Sequence, residues 1–268
     1  MVMADGAPKW ALVTGATGGL GRAFCEALAR RGYNLVVSAR HAAPLEELAE
    51  ALRSGHGVEI AVEPADLADA GAAQVLKRAV EARGIAVETL VNNAGFGLHG
   101  RFHAQPTEAV GGMVAVNVAA LTELTHAFAA DMAERGGGHV LLVASTAAFQ
   151  PIPGYAVYAA SKAYVLSFAH ALHEELRRRK VVVSVLCPGP TETEFWARAG
   201  HVLKWGARAD LMQPGPVVEE GLRALYAGRP AVVTGLANRI MAFSTRLAPR
   251  SLQAKAAEVF MGSRKKKG

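Results

Sequence analysis

Short apolar runs, rich in β-branched residues, alternate along the chain with longer stretches whose apolar positions recur every three or four residues. The runs WALVT (10–14), NLVVS (34–38), VEIAVEP (58–64), TLVNN (89–93), HVLLVAS (139–145), VVVSVLC (181–187) and AVVTG (231–235) predict strands. Most lack a polar face, as strands do when both sides of their sheet are covered. Helical periodicity predicts helices near 20–31, 43–54, 69–83, 107–134, 156–179 and 216–226. Strand–helix repetition implies right-handed crossovers, and so a Rossmann-type α/β fold: a doubly wound parallel sheet of about seven strands with helices on both faces. Gly111 and Gly112 weaken the helix predicted over 107–134, each by about 1 kcal/mol relative to alanine. They point to close approach of another helix or to a kink. The connection from Pro188 to Pro216 is long, and its Trp196 and Trp205 mark it as functional.

The 268 residues suffice for one large domain, and half of them (51%) are apolar. The formal charge of +6 first suggests a nucleic-acid partner, but Arg264, Lys265, Lys266 and Lys267 supply four of those charges and leave +2 for the body. That run reads as a solvated tail without a nucleic-acid role, with weak peripheral contact to an anionic membrane as the sharper alternative. Cys25 and Cys187 lie far apart in apolar segments and are expected to be buried free thiols. With no leader and no uncharged apolar run of spanning length, the expected location is cytoplasmic. The histidines show no metal-ligand spacing. His170 and His173 share one helix without a third ligand and are expected at the surface, so no metal is expected.

The segment VTGATGGLGRAF (13–24) joins the first strand to the first helix. Gly15, Gly19 and Gly21 permit a tight turn, close approach to a pyrophosphate and close helix–strand packing, while the helix N-terminus offers free N–H groups. A dinucleotide is the expected ligand. The second strand ends in Ser38 and Arg40 with no acidic residue. A guanidinium suits a 2′-phosphate, so NADP(H) is preferred over NAD(H), with Arg22 able to assist.

Several motifs occur in one order and spacing: TGATGGLG (14–21), DL (66–67), NNAG (92–95), Asn117, Ser145, YAASK (158–162) and PGPTET (188–193). Together they resemble the short-chain dehydrogenase/reductase family in its compact single-domain form, over about residues 9–235. The segments NNAGFGLHGRF and GLANRIMAFSTRLAPRSL look like a bacterial subgroup related to ketoacyl and hydroxysteroid reductases. The resemblance implies cofactor contacts from Gly15, Thr17, Gly19, Leu20, Gly21, Ser38 and Arg40, with Asp66 and Leu67 at the adenine edge. It also implies that Asn93, Ala94 and Gly95 shape the cleft, that Pro188 and Gly189 border it, and that Thr191 meets the nicotinamide carboxamide. A homodimer or homotetramer paired through helices 107–134 and 156–179 is implied as well.

Of the tyrosines in GYAVYAASKAYVLSF (154–168), only Tyr158 has a lysine one helical turn on. An ammonium about 5 Å away favours the phenolate by roughly 3 kcal/mol, or about two pKa units. Lys162 is thus expected to lower the Tyr158 pKa and to bond the cofactor ribose. Tyr158 would give a proton to a carbonyl oxygen as hydride reaches its carbon, and Ser145 would donate a hydrogen bond to that oxygen. Asn117 matches the family asparagine that holds a water in a proton relay. Tyr155 and Tyr164 read as packing or wall residues.

The resemblance lines the substrate pocket with Phe96, Leu98, residues 147–155, Phe195 and Trp196. This lining is mostly apolar, with no arginine placed to hold a carboxylate, so an apolar alcohol or ketone is expected. Residues 236–268 form a C-terminal extension of one or two amphipathic helices with a basic face. A cover for the cleft or a subunit contact is the first reading, and attachment to an anionic membrane the second. Two other functions share part of this pattern: a non-catalytic NADP(H)-binding regulatory scaffold and a nucleotide-sugar epimerase. The complete Ser–Tyr–Lys set argues against the first and the short chain against the second.

Overall fold

A computed structural model describes residues 8–200 and 211–261. Its strands are β1 (Trp10–Thr14), β2 (Asn34–Ser38), β3 (Ile60–Val62), β4 (Val87–Asn92), β5 (Gly138–Val143), β6 (Val181–Cys187) and β7 (Ala231–Val233). All pair in parallel in the order β3-β2-β1-β4-β5-β6-β7. The helices are α1 (Gly19–Ala29), α2 (Ala42–His56), α3 (Ala72–Ala82), α4 (Thr107–Val114), α5 (Leu121–Glu134), α6 (Ala156–Leu176), α7 (Phe195–Arg198), α8 (Pro214–Tyr226), α9 (Leu236–Ser244) and α10 (Arg250–Met261).

Both sheet faces are dry. Along β1, Ala11 and Val13 pack in one apolar cluster with Phe24, Leu28 and Leu45, and with Leu222 of α8. Leu12, between them, packs in the other with Leu76 of α3, Leu121 and Phe128 of α5, and Val165 of α6. Side chains alternate across a strand, so a strand buried on both faces needs apolar residues throughout. That is why the strand sequences show no alternation. The thiols Cys25 and Cys187 are free and buried. His173 is not a bare surface group, since its Nδ1 lies 2.7 Å from the Val183 carbonyl. His170 is exposed on the same helix. Among the described residues no group of three or more His, Cys, Asp or Glu is arranged to hold a metal.

The predicted helix 107–134 is continuous, but a π-helical turn over Ala115–Ala120 separates α4 from α5. Close approach of another helix does not account for the glycines: an added Cβ at Gly111 would meet open space, and one at Gly112 would meet only Phe96 at 3.9 Å. At 28 residues this run is long and apolar enough to cross a membrane by length and composition. Leu121, Leu124, Phe128 and Met132 are nevertheless buried in the fold, which makes α5 a core helix.

The chain runs outward from β1 to β3, then returns to the other side of β1 and continues from β4 to β7. At such a reversal the connections leave in opposite directions and open a crevice at the C-terminal ends of the strands.

Candidate active site

A cavity of about 1400 Å³ fills this crevice. Gly15, Thr17, Gly19, Leu20, Gly21, Ser38, Arg40, Asp66, Leu67, Asn93, Ala94, Gly95, Ser145, Tyr158, Lys162, Pro188, Gly189 and Thr191 all line it. Of the residues chosen from sequence, Asn117 alone stands behind the wall.

The nucleotide half is shaped by backbone. Gly15 has φ +63°, in the left-handed region, and a Cβ there would sit 2.9 Å from Ala94 Cα. At Gly21 a Cβ would come within 2.0 Å of the Gly15 carbonyl oxygen, so the turn closes only on glycine. Asn93 donates through Nδ2 to the carbonyls of Thr14 (2.9 Å) and Gly15 (3.2 Å), and the Thr14 hydroxyl accepts from the amides of Asn93 and Ala94. These bonds stitch the β1 turn to the end of β4. Thr14 was not foreseen as a site residue, although its place just before the glycine turn was a usable signal.

α1 begins at Gly19 with Gly18 as its cap and no side-chain hydrogen bond there, so its first N–H groups face the cavity unsatisfied by a side chain. The Ser38 hydroxyl is fully buried without a partner. An open helix N-terminus, a cradle that a Cβ would fill and an orphan hydroxyl beside Arg40 fit a dinucleotide with its phosphates on α1.

In the reactive part, β5 ends at Val143 and leaves Ser145 extended (φ −171°), its Oγ accepting from the Ala147 amide at 3.1 Å. Tyr158, on the first turn of α6, lines the cavity together with that serine. Lys162 is 4% exposed; its Nζ donates to the Val143 carbonyl at 2.9 Å and lies 5.8 Å from the centre of the Tyr158 ring. Here the electrostatics differ from the sequence expectation. Burial pushes the Tyr158 phenol up to about 12, and the neighbouring Ser145 hydroxyl pulls it only partly back. Burial also brings the Lys162 ammonium down to about 8. Desolvation penalises every charged form, and within the protein alone it outweighs any pull of the ammonium on the phenol.

Asn117 sits in the π-helical turn, fully buried. Its Oδ1 accepts from the Phe96 amide (3.0 Å), and its Nδ2 donates to the Phe96 carbonyl (2.9 Å) and to Ser161 Oγ (3.1 Å). Ser161 in turn donates to the Tyr158 carbonyl at 2.7 Å. The side chain therefore clamps the segment after NNAG to α6, and both of its N–H groups are committed to protein.

Beyond Tyr158 the wall is formed by Phe96, Leu98, Ile152, Tyr155, Phe195, Trp196 and Met241. The Phe195 ring lies 5.2 Å from that of Tyr158. A Cβ at Gly97 would meet Phe195 at 2.8 Å and Tyr158 at 3.2 Å, so this glycine lets both rings close in. Trp196 donates from Nε1 to the Thr191 carbonyl at 3.1 Å, and Thr191 donates to the Gly189 carbonyl at 2.9 Å. Trp205 lies outside the described residues. Tyr155 is a wall residue, whereas Tyr164 is partly exposed and bonded to Thr122. Arg198 does reach this lining, contrary to the sequence expectation, but it is paired with Glu194. Sequence reasoning also missed Asn238 of α9, which packs over Gly189 and donates to the Thr234 carbonyl at 2.8 Å.

A family model described as short chain dehydrogenase matches residues 9–202. The chain belongs to the short-chain dehydrogenase family. The relatives it matches are named as oxidoreductases, and the solved neighbours include dehydrogenases of alcohols and ketones. Relatives include an uncharacterized oxidoreductase of Myxococcus xanthus, 34% identical over 73% of this chain and 77% of its own. The probable oxidoreductase EphD of Mycobacterium tuberculosis is 34% identical over 70% of this chain, but the match spans only 32% of EphD. Among solved structures, a short-chain dehydrogenase from Sphingobium yanoikuyae in complex with NADPH superposes with TM-score 0.80 at 29% identity, covering 97% of this chain and 98% of that one. A 7β-hydroxysteroid dehydrogenase gives TM-score 0.85 at 26% identity, covering 96% and 99%. The bulky-bulky ketone specific alcohol dehydrogenase from Comamonas testosteroni gives 0.76 at 28%, covering 97% and 96%.

Proposed function

We propose that this dehydrogenase is an NADP(H)-preferring carbonyl reductase whose substrate is a bulky, apolar ketone or the corresponding alcohol. The observation that carries the reading is that Ser145, Tyr158 and buried Lys162 line one cavity with the glycine turn, the Lys162 ammonium 5.8 Å from the Tyr158 ring centre. When bound, the reduced nicotinamide supplies hydride to a carbonyl carbon. Tyr158 holds the proton that the carbonyl oxygen takes up, and burial keeps that phenol protonated at neutral pH, as a donor must be. Ser145 donates a hydrogen bond to the same oxygen as negative charge develops on it. Lys162, fixed by the Val143 carbonyl, would hold a ribose hydroxyl of the cofactor, and Asn117 keeps the Gly95–Phe96 segment in register with α6.

The preference for NADP(H) is supported by Arg40, by Ser38 and by the absence of a carboxylate at the end of β2. It is also supported by the NADPH bound to the Sphingobium enzyme. Support for an apolar substrate comes from the Phe96, Leu98, Ile152, Phe195 and Trp196 wall and from the ketone specificity of the Comamonas enzyme. NADPH oxidation with a panel of steroid, long-chain acyl and sugar ketones tests the reading. Tyr158→Phe should lose about 10²–10⁴-fold in kcat and keep its NADPH affinity within about twofold, with a similar loss in Ser145→Ala. A folded, NADPH-binding Tyr158→Phe enzyme that reduces ketones at the wild-type rate overturns the mechanism, and turnover of sugars alone overturns the substrate class.

A further inference from the structure

After β7 the chain forms α9 and α10 on the outside of the domain. The inner side of α9 is well anchored. Ala242 is buried, Asn238 packs over Gly189, Met241 lines the cavity, and Arg239 donates to the Val233 carbonyl and pairs with Glu220. Its outer side is not covered by the domain. Leu236, Ile240 and Phe243 are 72%, 62% and 61% exposed, and Leu247, one turn on, is 77% exposed. Steps of four, three and four residues place these side chains in one stripe along α9 and the 3₁₀ turn Thr245–Leu247 that follows it. α10 also leaves apolar side chains in water, with Leu252 and Val259 exposed two turns apart. A large apolar stripe left in water by an otherwise well-packed domain marks a contact surface.

Charge identifies the partner. Residues 236–268 contain eight basic side chains and one acidic one, Glu258, a net +7 against +6 for the whole chain. The extension thus carries the entire positive excess, and the remainder of the chain is close to neutral. Arg246, Arg250 and Lys255 are exposed in the same C-terminal segment. Next to it a groove of about 370 Å³, floored by Phe149, Leu166 and Val232, is rimmed by His170, Arg229 and Arg246. Apposing two copies of this face would bring like charges together, which disfavours self-association. An apolar stripe between basic flanks matches a helix lying in the headgroup region of an anionic bilayer.

We propose that the Leu236–Ile240–Phe243–Leu247 stripe, with the basic residues around it, docks the enzyme on anionic lipid membranes. Because the opposite side of α9 carries Met241 into the cavity, docking sets the substrate wall one helix diameter from the lipid. A route for membrane-dissolved ketones follows from that geometry and rests on the carbonyl-reductase reading, whereas the docking itself does not.

The test is co-sedimentation of the full chain with phosphatidylcholine vesicles, pure or containing about one-third phosphatidylglycerol. Wild type should pellet about tenfold more with the anionic vesicles, and less as salt rises. The double variant Ile240→Glu/Phe243→Glu and the double variant Arg246→Glu/Arg250→Glu should each lose most of that binding. Their NADPH affinity and their reduction of a water-soluble ketone should stay at wild-type values, which separates failed docking from a failed catalytic assignment. Wild type that does not pellet, or an Ile240→Glu/Phe243→Glu variant that pellets equally, overturns the proposal. So does a halving of the molar mass in vesicle-free light scattering for that variant, which would assign the stripe to a second copy.

Discussion

The two halves of the cavity are built by different means. In the nucleotide half the shape is set by the main chain: a left-handed Gly15, a Gly21 with no room for a methyl group, and an uncapped helix end. In the substrate half it is set by side chains brought from the segment after β4, from α6, from α7 and from α9. A backbone cradle serves any ligand with the same pyrophosphate, so its sequence must stay close to one solution. A wall of side chains can be exchanged residue by residue, so it is where one family member differs from another. Lys162 lies where the halves meet, hydrogen-bonded to the end of β5 from beneath Tyr158.

Substitutions can break or sharpen this contrast. The largest effect is expected from Gly21→Ala, whose Cβ would stand 2.0 Å from the Gly15 carbonyl oxygen. NADPH affinity should fall at least about 100-fold and stability by about 3 kcal/mol, read by fluorescence titration and urea unfolding. Wild-type binding would show that the turn is not a backbone cradle.

Lys162→Met comes next and has the opposite sign. Burial lowers the folded-state lysine pKa from 10.5 to about 8, so between those pH values the unfolded chain binds more protons and stability rises with pH. Below pH 8 the buried ammonium costs about 3 kcal/mol, and loss of the Val143 hydrogen bond returns about 1. The variant should therefore be about 2 kcal/mol more stable than wild type at pH 7, with the gap shrinking towards pH 10.5. A variant less stable at pH 7 would mean that the lysine is not held at a cost.

Arg40→Ala should weaken NADPH about tenfold and change NADH less than about twofold, since only NADPH carries the 2′-phosphate. Equal losses for both cofactors would remove the basis for the NADP(H) preference. The smallest effect is expected from Gly97→Ala, which pushes on Phe195 at 2.8 Å. Ketone KM should rise about three- to tenfold with NADPH affinity unchanged, because a flexible ring can yield where a backbone turn cannot. A loss of NADPH affinity there would erase the boundary between the halves.

The same contrast explains what was legible in the chain. The strands and the glycine turn could be read because both-face burial and tight turns leave strong local marks, and each predicted strand has an observed counterpart, with β1, β2 and β6 at the predicted bounds and the others shifted or shortened at their ends. The substrate half was less readable. α7 spans only four residues, too few for a periodicity. Asn238 packs on Gly189 from 49 positions away, with nothing local to announce it. Asn117 was found by its place in a motif order, but its clamp on Phe96 depends on a backbone irregularity that AVNVAA does not signal. The Tyr158–Lys162 pair was found by spacing, while its electrostatics depend on a burial that spacing does not measure.

That irregularity has a further consequence. A regular helix turns by about 100° per residue, so the residue accommodated in the wide turn at Ala115–Ala120 offsets the phase of α4 against α5. Upstream, Glu108, Ala109 and Gly112 look into the cavity; downstream, Leu121 and Leu124 mesh with the sheet. The two stretches behave as gears on one shaft. Removing a single residue from the turn would leave every other side chain in place by sequence and yet disengage the reaction chamber from the core that aligns it.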